Sequence, residues 1–305
     1  MTYFDDLISA KELASLLPNA RPHAHQKAPS LLIFDVSYDL SDEHWGRSQF
    51  EKEHIAHAHF ADLGHDLSAH EPHLAINAGR HPLPSRAHFA KWLGGFQIQA
   101  NTQVVVYDRN QNNFCGRLWW MLKWCGHDHV AVLDGAFAHW QLMGGDVQSS
   151  ATQESAPQTF APQTPYPLSA SRLQLKTMDA VFKDLNAGQQ TLIDARGKPR
   201  FLGLQEPLDP IAGHIPGALN RPFNENFTQE GLFKSKALLR EEFLTLLNGR
   251  DPSTVVHQCG SGVSAVPNLL AMHLAGFAQT ALYAGSWSEW SRTPGMPCAQ
   301  HEPST

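Results

Sequence analysis

Short, largely apolar runs alternate along this chain with longer segments in which apolar residues return every three or four positions. The runs fall at 31–36, 104–107 and 130–133, and again at 191–194, 254–257 and 280–283. Rich in Val, Ile and Leu, they have the composition of strands covered on both faces. Helical spacing occupies 116–125 and 264–275. Alternation of this kind predicts an α/β fold, with mainly parallel sheets flanked by helices.

The pattern is written twice. Leu32-Ile33-Phe34-Asp35 returns as Leu192-Ile193-Asp194, and His54-Ile55-Ala56-His57-Ala58 as His214-Ile215-Pro216-Gly217-Ala218. Val104–Asp108 matches Thr254–Gln258, and Asp134–Trp140 matches Ala284–Trp290, both 150 positions later. Repeats this long are duplicated domains rather than solenoid units. Between them, 149–168 carries Pro157, Pro162, Pro165 and Pro167 among Ser, Thr and Gln, the composition of an extended linker. The predicted division is therefore 1–148, linker 149–168, and 169–305. The first copy holds about ten extra residues near Ala69–Pro84, ending Gly79-Arg80-His81-Pro82-Leu83-Pro84. A polar loop of that length reads as functional, a cap from one copy over a site on its sibling.

Composition narrows the classes. A length of 305 residues suits two domains, and a net charge of −6 offers no basic surface for nucleic acid or anionic membrane. The 18 histidines lack HExxH or paired Cys/His spacing, so no metal and no cofactor is expected. Four cysteines, without CxxC, point to a reduced, cytosolic setting. No window approaches 18 consecutive apolar residues and Met1–Leu17 lacks a basic n-region and an apolar h-region, so neither a membrane span nor a signal segment is expected.

One cysteine stands apart. Cys259 lies in His257-Gln258-Cys259-Gly260-Ser261-Gly262-Val263-Ser264, after an apolar strand and before a helix. Amides of such a loop converge inward and the helix adds the positive end of its dipole. Both favour a reactive thiolate. At the 150 offset Arg109 stands opposite Cys259, so the first copy has no thiol there. Cys115 and Cys125 lie in a helical aromatic run and Cys298 in a Pro-rich tail, which suit structural roles. Trp119, Trp120, Trp124, Trp287 and Trp290 read as packing.

The loop Cys259–Ser264 resembles the active loop of the rhodanese superfamily, specifically of two-domain sulfurtransferases of the 3-mercaptopyruvate and thiosulfate types. Gly213–Ala218 and Gly285–Trp290 resemble its two other signatures, in the expected order. The resemblance covers essentially the whole chain and implies two tandem rhodanese-like domains, the first catalytically inactive. It implies that Cys259 accepts a sulfane sulfur as a persulfide and passes it to a thiol, such as a thioredoxin-like protein, or to cyanide. The amides of Gly260, Gly262, Val263 and Ser264 would hold that persulfide. Ser261 matches a serine that relays a proton between the cysteine and a histidine, which aligns with His81. Arg200, in Asp194–Phe201, falls on a substrate-binding arginine, whereas Arg196 reads as a structural ion-pair member.

The chain departs from the pattern twice. A second substrate arginine is replaced by Leu208, and the acidic residue behind the histidine appears as Gly64, flanked by Asp62 and Asp66. The uncharged Gly260-Ser261 favours 3-mercaptopyruvate over thiosulfate as donor. A phosphatase loop of the Cys-x5-Arg kind is disfavoured because Ala265 takes the arginine's place. The remaining rival is a non-catalytic sulfur-carrier or interaction module.

Overall fold

A computed structural model describes residues 2–20, 29–150, 164–185, 187–277 and 280–301. The chain divides into two compact units. Unit 1 comprises Met1–Ala69, Pro84–Arg172 and Gln229–Leu232; unit 2 comprises His70–Leu83, Leu173–Thr228 and Phe233–Thr305. The division thus differs from the sequence-based one in three segments, one of them Gln229–Leu232, which goes with unit 1. His70–Leu83, expected to cap a sibling domain from outside, is an integral part of unit 2. Residues 164–172 go with unit 1, where Tyr166 N–H donates to the Ala90 carbonyl and its hydroxyl meets His127 Nδ1 at 3.0 Å. Most of the expected linker, 151–163, lies outside the described residues.

Unit 1 contains a five-stranded sheet built from β1 (Leu7–Ile8), β2 (Leu31–Asp35), β4 (Ala58–Phe60), β5 (Gln103–Tyr107) and β6 (Val130–Leu133). The strands run parallel in the order β1-β6-β5-β2-β4. A separate antiparallel pair joins β3 (His54–Ile55) and β7 (Val147–Gln148). Every residue of β2, β5 and β6 is buried, as continuous apolar runs require when helices cover both faces. The helices are α1 (Ala10–Leu16), α2 (Trp45–Lys52), α3 (Arg86–Gly95), α4 (Gly116–Trp124) and α5 (Ala136–Leu142). Ser9 and Glu12 start α1 with a reciprocal capping box.

Unit 2 repeats the plan with β8 (Gln174–Lys176), β9 (Thr191–Asp194), β10 (Leu219–Asn220), β11 (Val255–Gln258) and β12 (Ala281–Tyr283). Their order, β8-β12-β11-β9-β10, is that of unit 1, strand for strand, and again all neighbours are parallel. Helices α6 (Met178–Leu185), α7 (Lys198–Phe201), α8 (Lys236–Leu247), α9 (Val266–Leu274) and α10 (Ser286–Trp290) complete it. Its core joins Leu192, Val256 and Tyr283 to Trp287 and Trp290, both tryptophans fully buried. The duplicated His motifs share one structural task. His54 stacks on Phe50 and bonds the Phe50 carbonyl at 2.7 Å; His214 does the same with Phe201.

The central strand of unit 2 is β11. From β9 the chain goes on to β10 on one side, and from β11 to β12 on the other, so the carboxyl ends of β9 and β11 flank a topological switch point. Open α/β sheets place their ligand crevices there. The residue after β11 is Cys259.

Candidate active site

Cys259 is held by its own backbone. Its N–H donates to Ser286 Oγ at 3.1 Å, and its carbonyl accepts from Trp287 N–H at 3.0 Å. The Gly260 carbonyl accepts from Ser288 N–H at 2.8 Å. The start of α10 therefore fixes the first turn of the loop. Gly262 adopts φ +72°, and a Cβ there would stand 2.1 Å from the Ala284 carbonyl oxygen. Only glycine permits that close approach. Cys259 is deeper than an accessible thiol was expected to be: the residue is 1% exposed.

Unit 1 shows what such a loop does with charge. In the sheet ladders Asp35 pairs with Tyr107, and Asp194 pairs with Gln258. The Asp108 carbonyl accepts from Phe137 N–H just as that of Cys259 accepts from Trp287 N–H. Asp108, rather than Arg109, therefore occupies the position of Cys259; the sequence offset is one residue out at the strand end. Its carboxylate accepts four backbone N–H bonds, from Asn110 and Asn112 (both 2.8 Å), Phe114 (2.7 Å) and Cys115 (2.9 Å). Burial pushes the Asp108 carboxyl up and these four amides pull it back. The loop after the central strand is thus an anion cradle, filled in unit 1 by the chain's own side chain. In unit 2, among the described hydrogen bonds, none is donated by the amides of Gly260, Ser261, Val263 or Ser264. Arg109 instead lies over the Phe137 ring at 3.7 Å, with Nε 3.9 Å from Asp35.

The residues expected to move protons come together. His81 Nδ1 and Ser261 Oγ are hydrogen-bonded at 2.9 Å, both residues almost wholly buried. The His81 segment is anchored by Ala78 N–H on Glu289 Oε1 (2.7 Å) and Arg80 N–H on Ser288 Oγ (3.0 Å). The acidic residues named beside Gly64 are engaged in their own turn of unit 1. Asp62 Oδ1 accepts from Gly64 and His65 N–H, and Asp66 Oδ2 from Asp62 N–H.

Around the cradle stands a lattice of arginines and carboxylates. Arg196 binds Asp194 (2.7 Å) and Glu206 (3.3 Å) and lies over the Trp287 ring, the structural ion pair expected of it. Burial acts to lower its pKa, but Asp194, Glu206 and Cys259 drive it up. Arg200, on the single turn of α7, binds Glu206 at 2.7 Å and Asp209 at 3.4 Å. Arg80 and Arg292 bind the fully buried Asp209 at 2.8 and 2.9 Å. Arg80, Glu206, Asp209 and Arg292 were not singled out by the sequence, although Arg80 adjoins His81 in the motif that was. Four guanidiniums face three carboxylates, which leaves one formal positive charge.

The other cysteines lie elsewhere. Cys115 and Cys125 are buried, and burial pushes the Cys125 thiol up to about 11; Cys298 is exposed. Among the described residues, no group of three or more His, Cys, Asp or Glu is placed to hold a metal ion. No helix among them is long and apolar enough to cross a membrane.

Known proteins resemble this chain along most of its length. The model of the rhodanese-like domain matches twice, over residues 10–143 and 177–293. The chain is 41% identical over 287 residues to a Pseudomonas aeruginosa protein named "Probable 3-mercaptopyruvate sulfurtransferase", covering 94% of this chain and 98% of that one. It is 32% identical to rat thiosulfate sulfurtransferase, covering 94% and 92% respectively. The solved 3-mercaptopyruvate sulfurtransferase of Leishmania major superposes with a TM-score of 0.78 at 29% identity, over 96% of this chain and 76% of that one.

Proposed function

This chain belongs to the rhodanese-like domain family, and we propose that it is a sulfurtransferase that carries a sulfane sulfur on Cys259, with 3-mercaptopyruvate as donor. The carrying observation is the hydrogen bond between His81 and Ser261 at 2.9 Å, made on the same loop that presents Cys259. A core thiol has no need of a buried proton-moving pair beside it.

The reaction balances as follows. The Cys259 thiolate attacks the donor's sulfur; an S–S bond forms while the donor's C–S bond breaks. The C–S electron pair passes into the enolate of pyruvate. The donor's thiol proton, relayed through Ser261 and His81, ends on the methyl carbon of pyruvate. Cys259 is left as a persulfide, whose negative outer sulfur the amides of Gly260, Gly262, Val263 and Ser264 stabilise. An acceptor thiolate then attacks that outer sulfur, leaves as its own persulfide and returns Cys259 to its starting state. Cyanide in the same role leaves as thiocyanate.

Arg200 supplies the cation for the donor's carboxylate, held at the loop by Glu206. The loop itself carries no charge, which suits a donor whose anionic group sits away from its sulfur. A thiosulfate donor would place its charge directly on the transferred pair. The test has two parts. Incubated with donor and no acceptor, the wild-type protein gains one sulfur atom by intact mass and Cys259→Ser gains none, with its fold unchanged. Specificity constants for the two donors with one common thiol then rank 3-mercaptopyruvate first. Transfer surviving in Cys259→Ser would sink the nucleophile, and a preference for thiosulfate would sink the donor.

A further inference from the structure

Gly260 is the loop residue nearest the arginine lattice. A Cβ placed on it would stand 3.1 Å from Arg80 Nη2 and 3.5 Å from Arg200 Nη1. Two guanidiniums thus reach the same point of the loop, one residue from the sulfur. They come from different segments of unit 2, Arg80 from that of His81 and Arg200 from α7.

Arg80 is half used. A guanidinium has two donor forks, one at its end (Nη1 and Nη2) and one along its side (Nε and Nη2). The end fork grips Asp209, Nη1 to Oδ1 at 2.8 Å and Nη2 to Oδ2 at 3.3 Å. The side fork contains Nε, which is buried without a hydrogen-bond partner. A buried donor left unmade costs about 1–3 kcal/mol, and an anion taken into that fork would recover it. The Nη2 of that side fork is the atom facing Gly260.

We propose that Arg80 is a second donor-binding residue, whose Nε–Nη2 fork takes the carboxylate of a small α-keto acid while Arg200 reaches it from the other side. The inference rests on the reading of Cys259 as the sulfur carrier. Asp209 then has a definite task. Fully buried and bonded to Arg80, Arg200 and Arg292, it aligns the guanidiniums before the donor arrives. The lattice keeps one formal positive charge for the incoming anion. The same loop position explains why residue 260 is bare: any side chain would push the two forks apart. Because Arg80 directly precedes His81, one segment both binds the donor's anionic end and handles its proton.

The test uses two donors that differ only at the proposed contact: 3-mercaptopyruvate and mercaptoacetone, in which a methyl group replaces the carboxylate. For Arg80→Met the expected result is a ten- to hundredfold rise in the Michaelis constant for 3-mercaptopyruvate, with turnover within about threefold, the scale of a lost charge-assisted bidentate contact. Transfer from mercaptoacetone, slower in the wild type, should not change. Arg80→Lys keeps the charge without the fork and should recover part of the loss; it also serves if the Met variant folds poorly. An unchanged Michaelis constant, or an equal loss with both donors, would overturn the assignment. If the wild type moves sulfur from neither donor, the reading of Cys259 fails instead, and the two failures are distinct.

Discussion

Replacing Gly262 with Ala tests the shape of the cradle directly. The residue sits at φ +72°, where a β-carbon costs about 1–2 kcal/mol on conformational grounds alone. The added carbon would also meet the Ala284 carbonyl oxygen at 2.1 Å and its carbonyl carbon at 2.7 Å. These are backbone atoms at the end of β12, which cannot swing aside as a side chain can; overpacking of this kind costs about 1–3 kcal/mol. Together the variant should lose about 2–5 kcal/mol, which at about 2–4 °C per kcal/mol for a domain of this size is a fall of roughly 5–20 °C in the melting temperature. Gly260→Ala is the matched control. Its backbone is outside the left-handed region, and its new carbon would meet only the tips of Arg80 and Arg200. It should cost below about 1 kcal/mol, yet raise the Michaelis constant for the donor severalfold. Differential scanning calorimetry with steady-state kinetics on both variants decides the matter. Equal melting temperatures for the two, or a larger loss for Gly260→Ala, would refute this account of the loop.

Three further outcomes are expected. His81→Ala should lower turnover with 3-mercaptopyruvate by about 10²–10⁴, the scale of general acid–base contributions, and an unchanged rate would remove His81 from the reaction. Asp108→Ala strips four backbone N–H groups of their acceptor and should destabilise unit 1 by at least about 3 kcal/mol, read as an earlier transition in denaturant; a neutral result would contradict the cradle. His257, wholly enclosed in β11, is pulled by burial from 6.5 down to about 3. Below pH 6.5 the unfolded chain takes up a proton that the folded one refuses, so stability falls from about pH 6.5 to about 3, by on the order of 5 kcal/mol. His257→Leu should flatten that slope, and an identical pH profile would discard the cause.

Much of the fold was legible because the sheets are buried on both faces: continuous apolar runs such as 104–107 and 130–133 leave no other reading. The meeting of Ser261 with His81 was legible because each lies in a short motif, one of them the loop that begins at Cys259. The arginine lattice was not. Arg80 and Asp209 are 129 positions apart, and no periodicity links a residue in a long loop to one in another. The counterpart of Cys259 was missed for a smaller reason. The ladder sets Asp35 against Tyr107 and Asp194 against Gln258, a difference of one residue that no sequence offset of 150 can register. The fate of 70–83 was not legible: its extra length set it apart, but membership of a compact unit depends on packing that spacing does not encode.

The Asp108 carboxylate amounts to a tethered inhibitor. Bound through four amides of its own backbone and present at an effective concentration no free solute attains, it fills the loop of unit 1. Titration with a small anion such as sulfite should accordingly saturate at one equivalent per polypeptide. On the proposed function, duplication leaves a single berth for cargo and, in the other copy, a standing record of the charge such a loop holds.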